Sequence, residues 1–272
     1  MTRENLSDPD LTNIARSILQ SKKYRDLNIP LDTITDLIKQ ESIVNNEKAA
    51  IKSARKKLHQ IIASYLGDPP YEKSINELTA AFQSLDEPTI RAACLAILSQ
   101  HASTRERMMI LDTFYSEIFK VSGVPKSILD LACGINPLTF PWMDLPLTVE
   151  YHAYDINTPR INFINQFLIL SGLQPLGEVR DVLIHPPEIH ADVAFFFKEA
   201  HRLEQRCKGA NRKLWQTINA DCLIVSLPPS SLDGKHAMTT RMRRLVSGVI
   251  KETTWQVKEI EFENELVFCI KK

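Results

Sequence analysis

Between Ser127 and Leu227 the chain alternates short β-type runs with helical stretches, and few architectures accommodate that alternation. The runs span 127–131, 148–154, 176–182, 192–197 and 222–227, with helical patterns at 159–170, 198–206 and 211–218. A chain ordered this way builds a mainly parallel sheet with helices on both faces. Two last runs, 255–262 and 266–270, read as a hairpin that adds an antiparallel edge. The expected class is α/β.

The first hundred residues have a different texture. Glycine is scarce there, with only Gly67 among the chain's 8, and apolar residues recur at helical spacing. One helix is expected to end near Tyr24, and Pro30 opens a second over 31–43. In a third, Ile51, Ala54, Leu58, Ile61, Ile62 and Tyr65 share a face until the Gly67-Asp-Pro-Pro70 stop. Shorter helical patterns follow at 75–85 and 89–98. Ser103 and Glu106 read as a capping box opening a helix that runs to about Lys120. The expected organisation is a helical extension over 1–100 and a sheet domain over 101–272.

Composition narrows the function classes. The formal net charge of the 272 residues is +0, so only the distribution of charge can point to a polyanion. No apolar run reaches the roughly 18 residues of a membrane span. The polar, acidic start MTRENLSDPD carries no targeting signature, and the expected location is the cytoplasm. The 5 cysteines are scattered without a CxxC pair, which points to reduced core residues and to no metal site.

Open parallel sheets bind ligands beyond the carboxyl ends of their strands. The stretch ILDLACGINPL, at 128–138, runs from strand type into a tight turn with a single glycine, Gly134. Asp130 lies in the first strand, Asp155 closes the second and Asp181 the third. A carboxylate after the second strand can accept both hydroxyls of a ribose, and one after the third can take an adenine amino group. Gly134 is expected to keep the space of a Cβ open for the ligand. Neither GxxxxGK[ST] nor GxGxxG is present, so a nucleoside triphosphate and a dinucleotide are both disfavoured. An adenosine ligand without a diphosphate remains, with S-adenosylmethionine as the natural candidate. Each feature alone has a plainer reading: a turn glycine, or an aspartate capping a helix.

The strings HASTRERMMILDTFY, ILDLACGINPL and SLPPSSLDGKHAM resemble the Arm/Rmt family of aminoglycoside-resistance methyltransferases. SKKYRDL and ARKKLHQIIASYL are similar to that family's helical extension, so the resemblance covers nearly the whole chain. It implies a Rossmann-like class I S-adenosylmethionine-dependent methyltransferase sheet with an N-terminal helical domain. The implied substrate is N7 of guanine-1405 in 16S rRNA within the 30S ribosomal subunit. The resemblance also implies that Arg107 pairs with the methionine carboxylate of the cofactor, with a guanidinium matching a carboxylate through two parallel hydrogen bonds. Gly134 would face the methionine, Asp155 the ribose, and Asp181 with Val182 the adenine. His101, Ser103, Asp130, Ala132 and Ile156 complete the expected cofactor set. The segment SLDGKHAMTTRMRR has fewer glycines than the family pattern, and the extension is longer; both bear on the substrate side.

Guanine N7 carries a lone pair and no proton, so methyl transfer needs alignment rather than a general base. Lys198 and Ser226, closing the fourth and fifth strand runs, are the side chains placed to meet the base. Positive charge is clustered despite the neutral total. Lys22, Lys23 and Arg25 follow the first helix, and Lys52, Arg55, Lys56 and Lys57 lie along the third. Lys235, His236 and Arg241 follow the Pro-rich turn, and Met238 is placed to slide against a flipped guanine. Other readings stay open: a methyltransferase for another RNA base such as an adenine N1, a small-molecule methyltransferase, or a nonenzymatic RNA-binding protein with a degenerate pocket.

Overall fold

A computed structural model describes residues 8–63, 68–229 and 238–272 of the chain. Seven strands form one sheet: β1 (Ser127–Leu131), β2 (Glu150–Asp155), β3 (Gly177–Val179), β4 (Ala191–Phe197), β5 (Ala220–Leu227), β6 (Gln256–Glu261) and β7 (Leu266–Lys271). Their order is β3-β2-β1-β4-β5-β7-β6. The first five strands are parallel, and β7 runs antiparallel to both β5 and β6. The α/β class and its antiparallel edge are thus as the alternation predicts. β6 is an exposed edge bearing Lys258, Glu259 and Glu261, charges that discourage pairing with another chain.

The described helices are α1 (Asp8–Leu19), α2 (Leu31–Ser42), α3 (Glu47–Ala63), α4 (Tyr71–Gln83), α5 (Glu87–Leu98), α6 (Ala102–Arg107), α7 (Leu111–Ser122), α8 (Thr158–Leu170), α9 (Ala200–Arg206), α10 (Ala210–Thr217) and α11 (Thr239–Ile250). Local chemistry sets several starts. The Asp86 carboxylate accepts the Thr89 N–H at the head of α5, and the Asn157 side chain accepts the Arg160 N–H at the head of α8. The expected capping box is not formed. His101 precedes α6, Ser103 lies inside its first turn, and Ser103 Oγ bonds His101 Nδ1 at 2.9 Å. Nor is the helix continuous to Lys120, because a 3-10 turn at Met108–Ile110 separates α6 from α7.

The strands divide the core by their period of two. Ile128, Phe195, Phe197, Ile224, Val267 and Cys269 face α4, α5, α7 and α8. Leu129, Leu131, Phe196, Leu223, Val225 and Phe268 face α9, α10 and α11. A separate small core, built on Ile18, Ile34, Leu37, Ile38, Ala54 and Leu58, holds α1 to α3 together, and Ile156 packs against it from the sheet side. Residues 71–98, expected in the helical extension, instead share the core of the sheet: Leu78, Cys94, Ile97 and Leu98 are buried with Phe114 and Ile164. Their apolar faces are satisfied by α8 and the turn after β1, not by the bundle. Cys94, Cys133, Cys222 and Cys269 are buried thiols, and no disulfide links the cysteines. No helix among the described residues is long and apolar enough to cross a membrane, and none of their side chains cluster in a metal-holding group.

Candidate active site

At the carboxyl end of β1 the chain turns sharply. Ala132 and Gly134 both take left-handed backbone, with φ of 52° and 55°. The strain of the alanine is held by Cys133 N, which donates to the Tyr154 carbonyl at 2.9 Å, and by Gly134 N, which donates to Asp155 Oδ2 at 3.1 Å. A Cβ on Gly134 would stand 3.4 Å from His101 Cε1, an ordinary contact. Within the protein, the positive backbone angle rather than a clash with a neighbour favours glycine there.

Asp155 closes β2, and protein donors already surround it. Its oxygens accept from Gly134 N, from Asn157 N at 2.9 Å and from Arg160 Nη1 at 3.0 and 3.1 Å. The buried Arg160 guanidinium spans two carboxylates, reaching Asp68 through Nη2 at 2.7 and 2.8 Å. Tyr71 OH donates to the same Asp68 at 2.6 Å. Sequence reading missed both Arg160 and Asp68, which lie 92 positions apart. Arg160 lies in the first turn of α8, five residues past Asp155, and that proximity was the available signal.

Asp181 lies two residues past β3, which is shorter than expected, and it opens the turn that follows by accepting the N–H groups of Ile184 and His185 on its carbonyl. It receives Thr33 Oγ1 from α2 at 3.0 Å and Arg206 Nη1 from α9 at 2.7 Å. Arg206 Nη2 continues to Asp36 at 3.3 Å. Lys57 belongs to this junction as well. Its ammonium meets Glu41 at 2.7 Å and the Arg206 carbonyl at 2.8 Å, so it ties α3 to α2 and α9. As an RNA contact it is corrected: its charge is already spent inside the protein.

Arg107 is buried between the rings of Phe114 and Phe197, 4.5 and 4.3 Å from their centroids. Its Nε and Nη2 meet the Glu265 carboxylate at 3.2 and 2.6 Å, and Nη1 donates to Asn136 Oδ1 at 2.6 Å. The two-pronged edge expected to take a ligand carboxylate is therefore occupied by the protein's own. Glu265 comes from the turn between β6 and β7, 158 positions away, and sequence reading gave it no role. Burial pushes its carboxyl up, but Arg107, Lys198 and the Ser226 hydroxyl pull it further down, below the usual glutamate value.

Lys198 and Ser226 close β4 and β5 against this same cluster. Lys198 has left-handed backbone, φ 59°, and is buried, with Nζ 2.6 Å from Glu106 and 3.5 Å from Glu265. The side chain expected to reach a base is thus an internal cation in this structure. Ser226 is fully buried and faces Glu265 rather than an open pocket.

Asp130 shares the buried face of Ile128. Tyr151 OH donates to its Oδ2 at 2.6 Å and Asn136 Nδ2 at 2.9 Å. Burial pushes this carboxyl up to about 7, against the opposing pull of Tyr151, Asn136 and Arg107. A folded-state value above the ordinary 3.8 makes the group's contribution to stability full below that value and lost as pH rises to about 7. Asp130→Asn keeps the shape and removes the titration. Urea midpoints of the native protein should fall relative to the variant's between pH 4 and 7; parallel curves would show that the carboxyl stays ionised throughout. His101 is displaced in the other direction, to about 4, by burial and then by Arg160, so its imidazole is neutral at physiological pH.

Between these groups lies an open cleft lined by Ala132, Asp155, Ile156, Asp181, Val182 and Phe196 among others. Phe196 is the one ring of the Phe195–Phe197 run that reaches it. Apolar walls beside the Asp155 and Asp181 carboxylates, with Glu199 and the cations Arg180, Arg202 and Arg206 also in the lining, suit an adenosine, whose flat base wants Ile156, Val182 and Phe196 and whose hydroxyls and amino group want acceptors. His101 and Ser103 lie beside Gly134 at one end of this region.

The basic groups fall into three sets. Lys22, Lys23 and Arg25 are exposed between α1 and α2, where Arg25 stands 3.5 Å from Asp26 and Lys23 lies over the Tyr24 ring. Lys52, Arg55 and Lys56 are exposed along α3, opposite its apolar face. Arg241 is exposed on α11, and Met238 is half-buried just before it. Lys235 and His236 lie outside the described residues.

The strand order with its reversed β7, together with a carboxylate-flanked nucleoside cleft at the strand ends, defines a Rossmann-like S-adenosylmethionine-dependent methyltransferase. The family model described as "Ribosomal RNA methyltransferase (FmrO)" matches residues 20–269, and the chain belongs to that family. It is 31% identical over 226 residues to the 16S rRNA (guanine(1405)-N(7))-methyltransferase of Micromonospora echinospora, covering 82% of each chain. Among solved structures it is similar to the 16S rRNA methylase RmtB, with TM-score 0.75, 28% identity and coverage of 96% of this chain and 98% of that one. The 16S rRNA methyltransferase RmtF, solved in complex with S-adenosyl-L-homocysteine, shares the fold at TM-score 0.77 and 23% identity, over 98% and 100% of the two chains.

Proposed function

We propose that this protein methylates N7 of guanine-1405 of 16S rRNA within the 30S subunit, and so confers resistance to aminoglycosides that bind there. The reading is carried by one arrangement: a nucleoside cleft at the strand ends, closed on one side by a bundle whose outer helix α3 carries Lys52, Arg55 and Lys56. The relatives' named target supplies the nucleotide.

Asp155 would hold the ribose, Asp181 and Val182 the adenine edge, and Gly134 the approach of the methionine portion. Bound S-adenosylmethionine supplies an electrophilic methyl group on a sulfonium. The lone pair of N7 is the nucleophile, so the reaction asks for neither a proton acceptor nor a metal. The chain's own contribution is to fix the two partners in line and to keep water out. The Arg107–Glu265–Lys198 cluster serves this by locking the ends of β4 and β7 at the border of the cleft. The surface cations engage backbone phosphates, which position the substrate without reading its sequence.

Expression in a drug-sensitive bacterium tests the proposal. Reduction and strand scission of 16S rRNA at N7-methylguanine, followed by primer extension, should give a stop at position 1405. Resistance should extend to kanamycin and gentamicin types and spare apramycin. A stop at another nucleotide would move the target, and no stop from a folded, cofactor-binding protein would remove the RNA substrate.

A further inference from the structure

A second depression, of about 1130 Å³, runs between α9, α10 and α11, apart from the nucleoside cleft. Lys208, Arg212, Arg241 and Arg244 line it, with Glu204 as the lining carboxylate. Glu204 is engaged on both oxygens, by Gly209 N at 2.6 Å and Asn211 Nδ2 at 2.9 Å. Arg212 pairs with Glu252 and reaches the Gly248 carbonyl at 3.1 Å, a neutral fixed edge. Lys208, Arg241 and Arg244 form no ion pair with a carboxylate among the described residues.

Helical spacing arranges these cations. Arg241 and Arg244 stand three apart on α11, and Gly248 continues their stripe. A Cβ on Gly248 would meet nothing, so the floor of the groove is open. Arg243, on the next edge of the helix, is pinned to Glu259 and Glu261 of β6 at 2.5 and 2.8 Å. The groove side alone therefore keeps its positive charge. His201, at its rim, is held down to about 4 by burial and by Arg202, Arg241 and Lys198. Unpaired point charges along an open channel, without an aromatic platform for bases, match a sugar-phosphate backbone.

We infer that this groove carries the phosphate backbone of the rRNA strand leading to the target nucleotide, with Lys208, Arg241 and Arg244 each neutralising a phosphate. The inference rests on the RNA methyltransferase reading above. Lys208→Glu with Arg244→Glu should weaken 30S binding about tenfold and flatten the slope of log affinity against log salt by about 2. S-adenosylhomocysteine affinity by calorimetry should be unchanged. Hydroxyl-radical footprinting should lose protection of a short run of 16S backbone. A wild-type slope in this variant, while Lys52→Glu with Arg55→Glu loses binding, overturns the groove and leaves RNA methylation standing. Absence of salt-dependent 30S binding in every form, wild type included, overturns both. Weakened binding with an unchanged footprint assigns the groove to a ribosomal protein and also overturns it. Should the glutamate variant lose S-adenosylhomocysteine binding, Lys208→Gln with Arg244→Gln is read for the same slope.

Discussion

Arg107→Ala is expected to lower folding stability by about 3–5 kcal/mol, read as a fall in the urea midpoint at pH 7. The cost comes less from the contacts removed than from what they leave behind. Glu265 is fully buried and would keep only Lys198, 3.5 Å away, as a cation. Asn136 loses its 2.6 Å donor, and the Phe114 and Phe197 rings lose the plane between them. Arg107→Lys should recover only part of the loss, because an ammonium cannot reproduce the paired bonds to Glu265. Arg107→Met combined with Glu265→Leu should be more stable than Arg107→Ala, since no charge is then stranded. Methyl transfer by that double variant should still be impaired, because Lys198 is left with Glu106 alone and the start of β7 loses its tie to Arg107. Near-wild-type stability of Arg107→Ala would mean that the guanidinium is not the internal partner of Glu265.

Asp155→Asn is expected to raise the dissociation constant for S-adenosylhomocysteine by about 10- to 100-fold, from the loss of charge-assisted bonds worth about 1.5–3 kcal/mol. The amide keeps one acceptor oxygen, so one of the N–H groups of Gly134 and Asn157, which bond different oxygens of Asp155, retains its partner. Arg160 retains Asp68, which limits the damage to the fold. Affinity for 30S subunits should change less than about twofold. Calorimetry with unchanged cofactor affinity would remove Asp155 from the ribose site.

The legible part of this molecule was whatever repeats along the chain. Alternation of strand and helix gave the sheet, and its period of two also carried the information that Asp130 shares the buried side of Ile128. Position at a strand end, by contrast, does not distinguish Asp130 from Asp155. The illegible part was convergence. Arg107 and Glu265 are separated by 158 positions, Lys198 and Glu106 by 92, Asp181 and Thr33 by 148. No local pattern announces such pairs, so Arg107 looked like a cation awaiting a ligand and Lys57 like one awaiting a phosphate. Both are instead neutralised within the fold. Similarly, α4 and α5 read as continuous with the preceding helices, because an amphipathic face does not say which apolar surface it meets.

The bond from Thr33 to Asp181 joins the helical bundle to the acceptor at the far end of the nucleoside cleft. Two binding equilibria that draw on one acceptor oxygen are thermodynamically linked, and the linkage is reciprocal. Under the proposed function, an adenine amino group that claims this oxygen would release Thr33, and the bundle's hold on rRNA would then depend on cofactor occupancy. Affinity for either partner is then a property of the pair, to be measured with the other both present and absent.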